Sequence, residues 1–217
     1  MIDSSKTVGE NTYEIIKKDI IFGNLKPLKK LKLNELKINY KTSISTLREI
    51  LSRLSGDGFV VYEEQKGFYV SPVSESDLKE IANLRILIES HALKYSLENS
   101  NPDWEGSLLA AHYKLNLYEN KLLKNKTEER SNWKRYDSEF HQTLVRNCNS
   151  NNLIELHKLI FDKYLRYQLL VLTFRGSGSI EEHKKLLDYS LERNFKKAQM
   201  VLEEHIQNGI IHANKSF

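Results

Sequence analysis

The sequence predicts a mainly α-helical protein, interrupted once near residues 59–70 by a small β-hairpin. Three observations carry this. Only three prolines and nine glycines occur among 217 residues, too few turn-formers for a sandwich or a barrel. Apolar residues recur at helical spacing through most of the chain, and all three prolines fall between the periodic segments. β-prone runs replace that period only in Phe59-Val60-Val61-Tyr62 and Phe68-Tyr69-Val70.

Taken in order, Ile15, Ile16, Ile20 and Ile21 predict a first helix from Asn11 to Phe22, stopped by Gly23-Asn24 and followed by Pro27. Leu33, Leu36 and Tyr40, at i, i+3 and i+7, mark a short second helix. Lys41-Thr42-Ser43 supplies a turn ending in a helix-capping residue. A third helix follows from Ile44 to Ser55. Ile44, Leu47, Ile50, Leu51 and Leu54 form its apolar stripe, with Ser45, Thr46, Arg48, Glu49, Ser52 and Arg53 nearer the other face. After Gly56-Asp57-Gly58, the two β-prone runs are joined by Glu63-Glu64-Gln65-Lys66-Gly67 and read as a hairpin. Three short helices and a hairpin are the layout of a winged helix-turn-helix. Ser71-Pro72-Val73 closes that domain, giving residues 1–73.

From Ser74 onward every segment reads as helix, near 75–99, 102–124, 127–147, 151–173, 180–193 and 195–213. Pro102 sits at a first helical position, where its missing N–H costs nothing. Arg175-Gly176-Ser177-Gly178-Ser179 is read as the break between the fourth and fifth of these helices. Residues 74–217 are thus predicted to form a six-helix antiparallel bundle, an architecture that buries ligand and metal pockets between its helices.

The net charge of +4 hides an uneven distribution. Between Lys26 and Arg53, eight basic residues face two acidic ones, a local +6, whereas residues 74–217 carry 21 basic and 20 acidic groups. Such clustering is the footprint of a polyanion-binding surface. A content of 29% charged and 40% apolar residues fits a soluble globular protein. No apolar run approaches the roughly 18–20 residues of a membrane span, and MIDSSKTVGE lacks the regions of a signal peptide. One cysteine, Cys148, can form neither an internal disulfide nor a multi-cysteine zinc site. A cytoplasmic protein without a membrane partner is expected.

The patterns of common enzymes are missing: no phosphate-binding glycine loop, no G-x-S-x-G, no H-E-x-x-H and no C-x-x-C. The protein is not expected to be an enzyme. Histidine placement is more informative. Asp137 and His141 lie four apart and project from one helix face, while His183 and His205 stand on two later helices in Glu181-Glu182-His183 and Glu203-Glu204-His205. One carboxylate and three imidazoles converging in a bundle would suit a borderline divalent ion. Each histidine alone is more often a surface or satisfied core residue. His91, His112, His157 and His212 have no comparable partners and are expected to be structural or exposed.

The chain resembles the GntR family of bacterial transcription regulators, in the branch whose C-terminal half is a helical FCD domain. In the first half the resemblance rests on Ile20-Ile21-Phe22-Gly23-Asn24-Leu25-Lys26-Pro27, on Leu47-Arg48-Glu49-Ile50-Leu51-Ser52-Arg53-Leu54, on Gly58-Phe59-Val60 and on Lys66-Gly67-Phe68-Tyr69-Val70. In the second it rests on Leu84-Arg85 with Glu89, on Asp137 with Phe140-His141, and on the two Glu-Glu-His segments. The resemblance implies that the third helix enters the major groove of double-stranded operator DNA. Ser43, Ser45, Thr46 and Arg48 would then contact DNA, with Gly67 at the wing tip. Ile44 and Asn34 depart from arginines frequent in the family, so the operator sequence does not carry over.

The resemblance also implies a divalent metal on Asp137, His141, His183 and His205, with zinc expected first and nickel or manganese compatible. The separation of 22 residues between His183 and His205 is like that of metal-binding relatives. It further implies a small organic acid as effector beside the ion, with Arg85 and Arg166 as candidates to pair with its carboxylate, the alternative for each being a salt bridge within the bundle. Gln65 to Val70 and the region of Phe161–Leu170 look like the glutarate-responsive repressors within the family. The expected protein is a homodimeric, metal-containing, ligand-responsive repressor. The alternatives are a metal-sensing regulator and, in another class, a helical metalloenzyme built on the same four residues.

Overall fold

A computed structural model describes residues 7–170 and 174–213. The chain divides into two compact units, Met1–Ser74 and Glu75–Phe217. In the first, helix α1 spans Val8–Ile21. It begins three residues before the predicted start at Asn11, because Thr7 and Glu10 form a capping box that satisfies the free N–H groups of the first turn. The Glu10 N–H donates to Thr7 Oγ1 at 3.2 Å and the Thr7 N–H to Glu10 Oε2 at 2.7 Å. Ile16 and Ile20 are fully buried, whereas Ile15 points outward.

Helix α2 (Leu33–Asn39) and helix α3 (Ile44–Gly56) follow. Ser43 caps α3, its hydroxyl accepting from the Thr46 N–H at 3.1 Å. Leu47, Ile50, Leu51 and Leu54 form the buried stripe, and Ile44 lies half-buried at its edge. Strands β1 (Val60–Glu63) and β2 (Gly67–Val70) pair antiparallel, Val60 opposite Val70 and Glu63 opposite Gly67. A bridge between Lys30 and Tyr69 holds the segment before α2 against the outer strand. Gly67 has φ +95°, a conformation that needs glycine where the hairpin turns back.

The second unit contains α4 (Glu75–Glu98), α5 (Pro102–Leu123), a 3₁₀ turn (Thr127–Glu129), α6 (Arg130–Val145), α7 (Asn151–Leu170), α8 (Ser177–Leu191) and α9 (Phe195–Ala213). Helix α4 packs on α6, α7 and α9, and α5 packs on α6 and α8. The expected continuous helix over 127–147 is divided, since its first residues take the tighter 3₁₀ form. The expected break at 175–179 is narrower: Gly176, at φ +73°, makes the turn, and Ser177, Gly178 and Ser179 already belong to α8. Residues 171–173 of the expected fourth helix lie outside the described residues.

The bundle core is not uniformly apolar. Within the stripe of α4 that buries Leu78, Ala82 and Leu93 stand Arg85 and Glu89, both fully buried. The stripe of α6 buries Lys134, Asp137 and His141 among Trp133, Phe140 and Leu144. No helix among the described residues is long and apolar enough to cross a membrane.

Candidate functional site

Asp137 and His141 from α6, His183 from α8 and His205 from α9 converge in the bundle core, one ligand atom of each lying within 4.8 Å of the others. All four are buried. His183 Nε2 stands 3.5 Å from Asp137 Oδ1, and the His183 and His205 rings are 4.6 Å apart between centroids. Each imidazole is anchored on its other side. His141 Nδ1 lies 2.5 Å from Glu89 Oε1, His183 Nδ1 2.7 Å from Glu119 Oε1, and His205 Nδ1 2.8 Å from Glu182 Oε2. A carboxylate accepting from Nδ1–H fixes the tautomer and leaves the Nε2 lone pair free.

At His205 a second group competes for the same nitrogen. Arg175 Nη2 lies 3.0 Å from Nδ1, but a guanidinium only donates, so Nδ1 cannot serve both neighbours. We assign the Nδ1 proton to Glu182, because Arg175 is satisfied without it through Glu182 and the His205 carbonyl.

The residues fit a metal by a direct observation. His141 Nε2, His183 Nε2 and Asp137 Oδ2 are buried and have no hydrogen-bond partner among the described residues. Orphaned acceptors cost free energy unless something satisfies them. Three imidazole nitrogens and a carboxylate are a donor set for a borderline dication such as Zn²⁺. Charge supports the same end. Burial alone would raise the Asp137 carboxyl, yet Lys134 and the imidazoles hold it well below the usual carboxylate range. Burial pushes His141 and His205 down, toward the neutral form that ligates. At His183 the opposing burial is outweighed by Glu119, and the imidazole titrates above its ordinary value.

Beside this cluster lies a cavity of about 20 Å³, room for about one water molecule. Lys134, Tyr164, Gln168, Arg175 and Gly209 help to line it. The Lys134 ammonium, 2% exposed, donates to Gln168 Oε1 at 2.8 Å and lies 3.9 Å from Asp137 Oδ2. Burial pushes it down to about 8. Gly209 lets α9 approach Tyr164: a Cβ there would stand 2.2 Å from the Tyr164 hydroxyl oxygen. Gly209→Ala should gain about 1 kcal/mol of helix propensity but lose more to the displaced, fully buried ring. A net loss near 1–2 kcal/mol is expected in urea denaturation, restored largely by adding Tyr164→Phe. An unchanged midpoint in Gly209→Ala would contradict this account.

Neither of the two arginines expected at the effector lines this cavity. The Arg85 Nε–H donates to Glu89 Oε2 at 2.8 Å, and its guanidinium lies over the Phe161 and Tyr164 rings at 4.4 and 4.7 Å. Arg85 thus stands behind His141 and off the cavity lining, although Nη1 and Nη2 make no hydrogen bond among the described residues. Arg166 also stays off that lining; burial pushes its guanidinium down, opposed by Tyr167 and by Asp77 on α4. His157, expected to be without comparable partners, is buried with Nε2 3.3 Å from Glu89 Oε2. His112 is buried too, edge-on to Phe140. Glu89, Glu119, Glu182 and Lys134 were missed as site residues. Their signal was present as charged residues within apolar stripes, for instance Glu119 four positions after Leu115.

In the first unit, α2, α3 and the hairpin enclose a groove of about 970 Å³. Lys30, Lys32, Arg48, Gln65, Lys66 and Gly67 are among its lining. Ser43, Ser45 and Thr46 lie at the N-terminus of α3, outside that lining, where the Ser43 hydroxyl contacts those of Ser45 and Thr46 at 2.8 Å each. Arg48 and Gly67 therefore face one concave cationic surface, and the hydroxyls form a cluster at its end.

Comparison with known proteins bears on both units. Residues 9–70 match the model for bacterial regulatory proteins of the gntR family, and residues 80–208 match the FCD domain. The chain is 28% identical over 211 residues to the uncharacterized HTH-type transcriptional regulator BphR of Paraburkholderia xenovorans, covering 96% of this chain and 86% of that one. It is 28% identical over 201 residues to the HTH-type transcriptional repressor GlaR of Escherichia coli, covering 89% and 90%. Among solved structures, Escherichia coli McbR/YncC superposes with a TM-score of 0.80 at 22% identity, over 97% of this chain and 98% of that one.

Proposed function

The chain belongs to the gntR family of bacterial regulatory proteins, in the group that carries an FCD domain, and from that premise we propose a metal-containing, acid-responsive repressor. Members of the family are transcription regulators that bind operator DNA, not enzymes. The carrying observation is the buried centre of Asp137, His141, His183 and His205, with each imidazole oriented by its own carboxylate. Zn²⁺ is the ion proposed for it. When bound, the ion supplies a Lewis-acidic position for an oxygen anion.

Within this reading a small carboxylic acid is received beside the ion by Lys134, Gln168 and Arg175, in place of the Arg85 and Arg166 expected from sequence. Entry requires the lining to open, since the cavity as it stands holds about one water. The acid alters operator affinity to the extent that it binds the DNA-free form more tightly than the DNA-bound form. The protein works in the cytoplasm as a homodimer that reads two half-sites. Exposed apolar residues at helical spacing, Leu84, Leu87 and Tyr95 on α4 and Leu109, Tyr113 and Leu117 on α5, support an oligomer that covers them.

The test is operator binding by the full-length protein after chelation, after reloading with Zn²⁺, and with small carboxylic acids added to the loaded protein. Tight operator binding by the loaded protein, weakened by an acid, is the expected result. An acid response that is absent from the loaded protein, with operator affinity that follows Zn²⁺ alone, would replace this reading with a metal sensor.

A further inference from the structure

Ile44 is the first residue of α3 and lies half-buried in the lining of the cationic groove. The other α3 residues in that lining, Arg48, Ser52 and Ser55, are polar or charged. Lys30, Lys32 and Lys66 face the same space from the neighbouring segments. An isoleucine offers nothing to a phosphate oxygen or to a polar base edge. It suits an apolar feature of the ligand, and its partly exposed surface gains when that feature covers it.

The position narrows the choice. Ile44 and Arg48 are four residues apart, so they share one helix face about 6 Å apart along the axis. In helix-turn-helix proteins, the N-terminal residues of the recognition helix meet base edges in the major groove. There the thymine C5-methyl is the apolar group on offer, and arginine pairs with guanine O6 and N7. Six ångströms is about two base-pair rises of 3.4 Å.

We propose that Ile44 is a specificity-determining residue that reads a thymine methyl within one or two base pairs of the position read by Arg48. The proposal rests on the reading of α3 as the DNA-recognition helix. It specifies a half-site that contains a thymine at this place, and it gives Ile44 a role beyond packing at the edge of the α3 stripe.

Deoxyuridine tests it, because it removes the methyl and leaves the base's hydrogen-bonding groups intact. The full-length protein first selects its operator from random duplex DNA. Each thymine of the selected half-site is then replaced singly by deoxyuridine, and affinities are measured at one fixed salt concentration. One position per half-site is expected to lose about fourfold in affinity, the worth of burying one methyl group. Ile44→Ser should bind the thymine and deoxyuridine duplexes equally, and Ile44→Val should keep most of the discrimination. Equal binding of every deoxyuridine duplex by the wild-type protein overturns the proposal, as does unaltered discrimination in Ile44→Ser. If Arg48→Ala and wild type alike enrich no sequence, the DNA-recognition reading of α3 fails and takes this assignment with it.

Discussion

Replacing His183 by alanine should leave the protein unable to hold a divalent ion at stoichiometry. Within the cluster, His183 contributes an imidazole nitrogen that is buried with no hydrogen-bond partner among the described residues, and it comes from α8, a different helix from Asp137 and His141. Its loss removes a ligand and also leaves Glu119 without its hydrogen-bond donor. At zinc concentrations 1,000-fold above the dissociation constant, the wild-type protein should gain about 4 kcal/mol of stability, and His183→Ala should gain nothing comparable. Elemental analysis of the purified proteins and urea denaturation with and without Zn²⁺ check both statements. Glu119→Gln offers a graded comparison: keeping the ligand but weakening its orienting partner should lower zinc affinity about 10–100-fold. Stoichiometric metal in His183→Ala would remove this residue from the site.

The second large effect is expected at Arg85. This guanidinium is wholly buried and forms the charged partner of Glu89, which also holds His141. Burial opposes ionisation of Glu89, but Arg85 and His141 together keep the carboxyl well below its ordinary range. Arg85→Met would leave a buried carboxylate with imidazoles alone for company, and stability should fall by about 3–5 kcal/mol. Arg85→Met combined with Glu89→Gln should lose less than Arg85→Met alone, since no uncompensated charge remains. Chemical denaturation of the two single variants and the double variant measures that coupling. Additive losses would mean that the pair contributes nothing as a pair. An Arg85 whose replacement leaves stability unchanged would point back to the effector role expected from sequence.

These two results turn on residues that were unequally legible in the sequence. Asp137 and His141 could be paired from their spacing, because four residues apart on a helix means one face wherever that helix packs. The partners of the imidazoles could not. Glu89 lies 52 residues from His141 and Glu119 lies 64 from His183, and only the packing of α4 on α6 and of α5 on α8 brings them together. Side-chain direction within a bundle follows from helix rotation, which a single periodic pattern leaves free. Arg85 illustrates the limit: its pairing with Glu89, four residues on along the same helix, was legible as a bundle salt bridge, but its standing off the cavity lining was not.

Helix ends show a similar division. The start of α3 followed from Ser43, whose capping bond is local and needs no tertiary context. The start of α8 was placed three residues late, because Ser177-Gly178-Ser179 has the composition of a loop, yet those residues take up the first turn of the helix. Glycine and serine weaken a helix without forbidding it, and the surrounding bundle outweighs their preference. The winged unit was more readable because its hairpin has a sharp local signature, down to the glycine at positive φ.

The anchored imidazoles have a consequence for electroneutrality. Counting the histidines as neutral and Lys134 as charged, the centre and its surroundings hold four carboxylates, Asp137, Glu89, Glu119 and Glu182, against three cations, Arg85, Lys134 and Arg175. A dication therefore carries the cluster past neutrality to a single positive charge, and a monoanion returns it to zero. Metal and acid are in this sense counter-ions to each other across one small volume. Under the proposed function, each would make the other cheaper to desolvate, and the two would enter as a neutral pair.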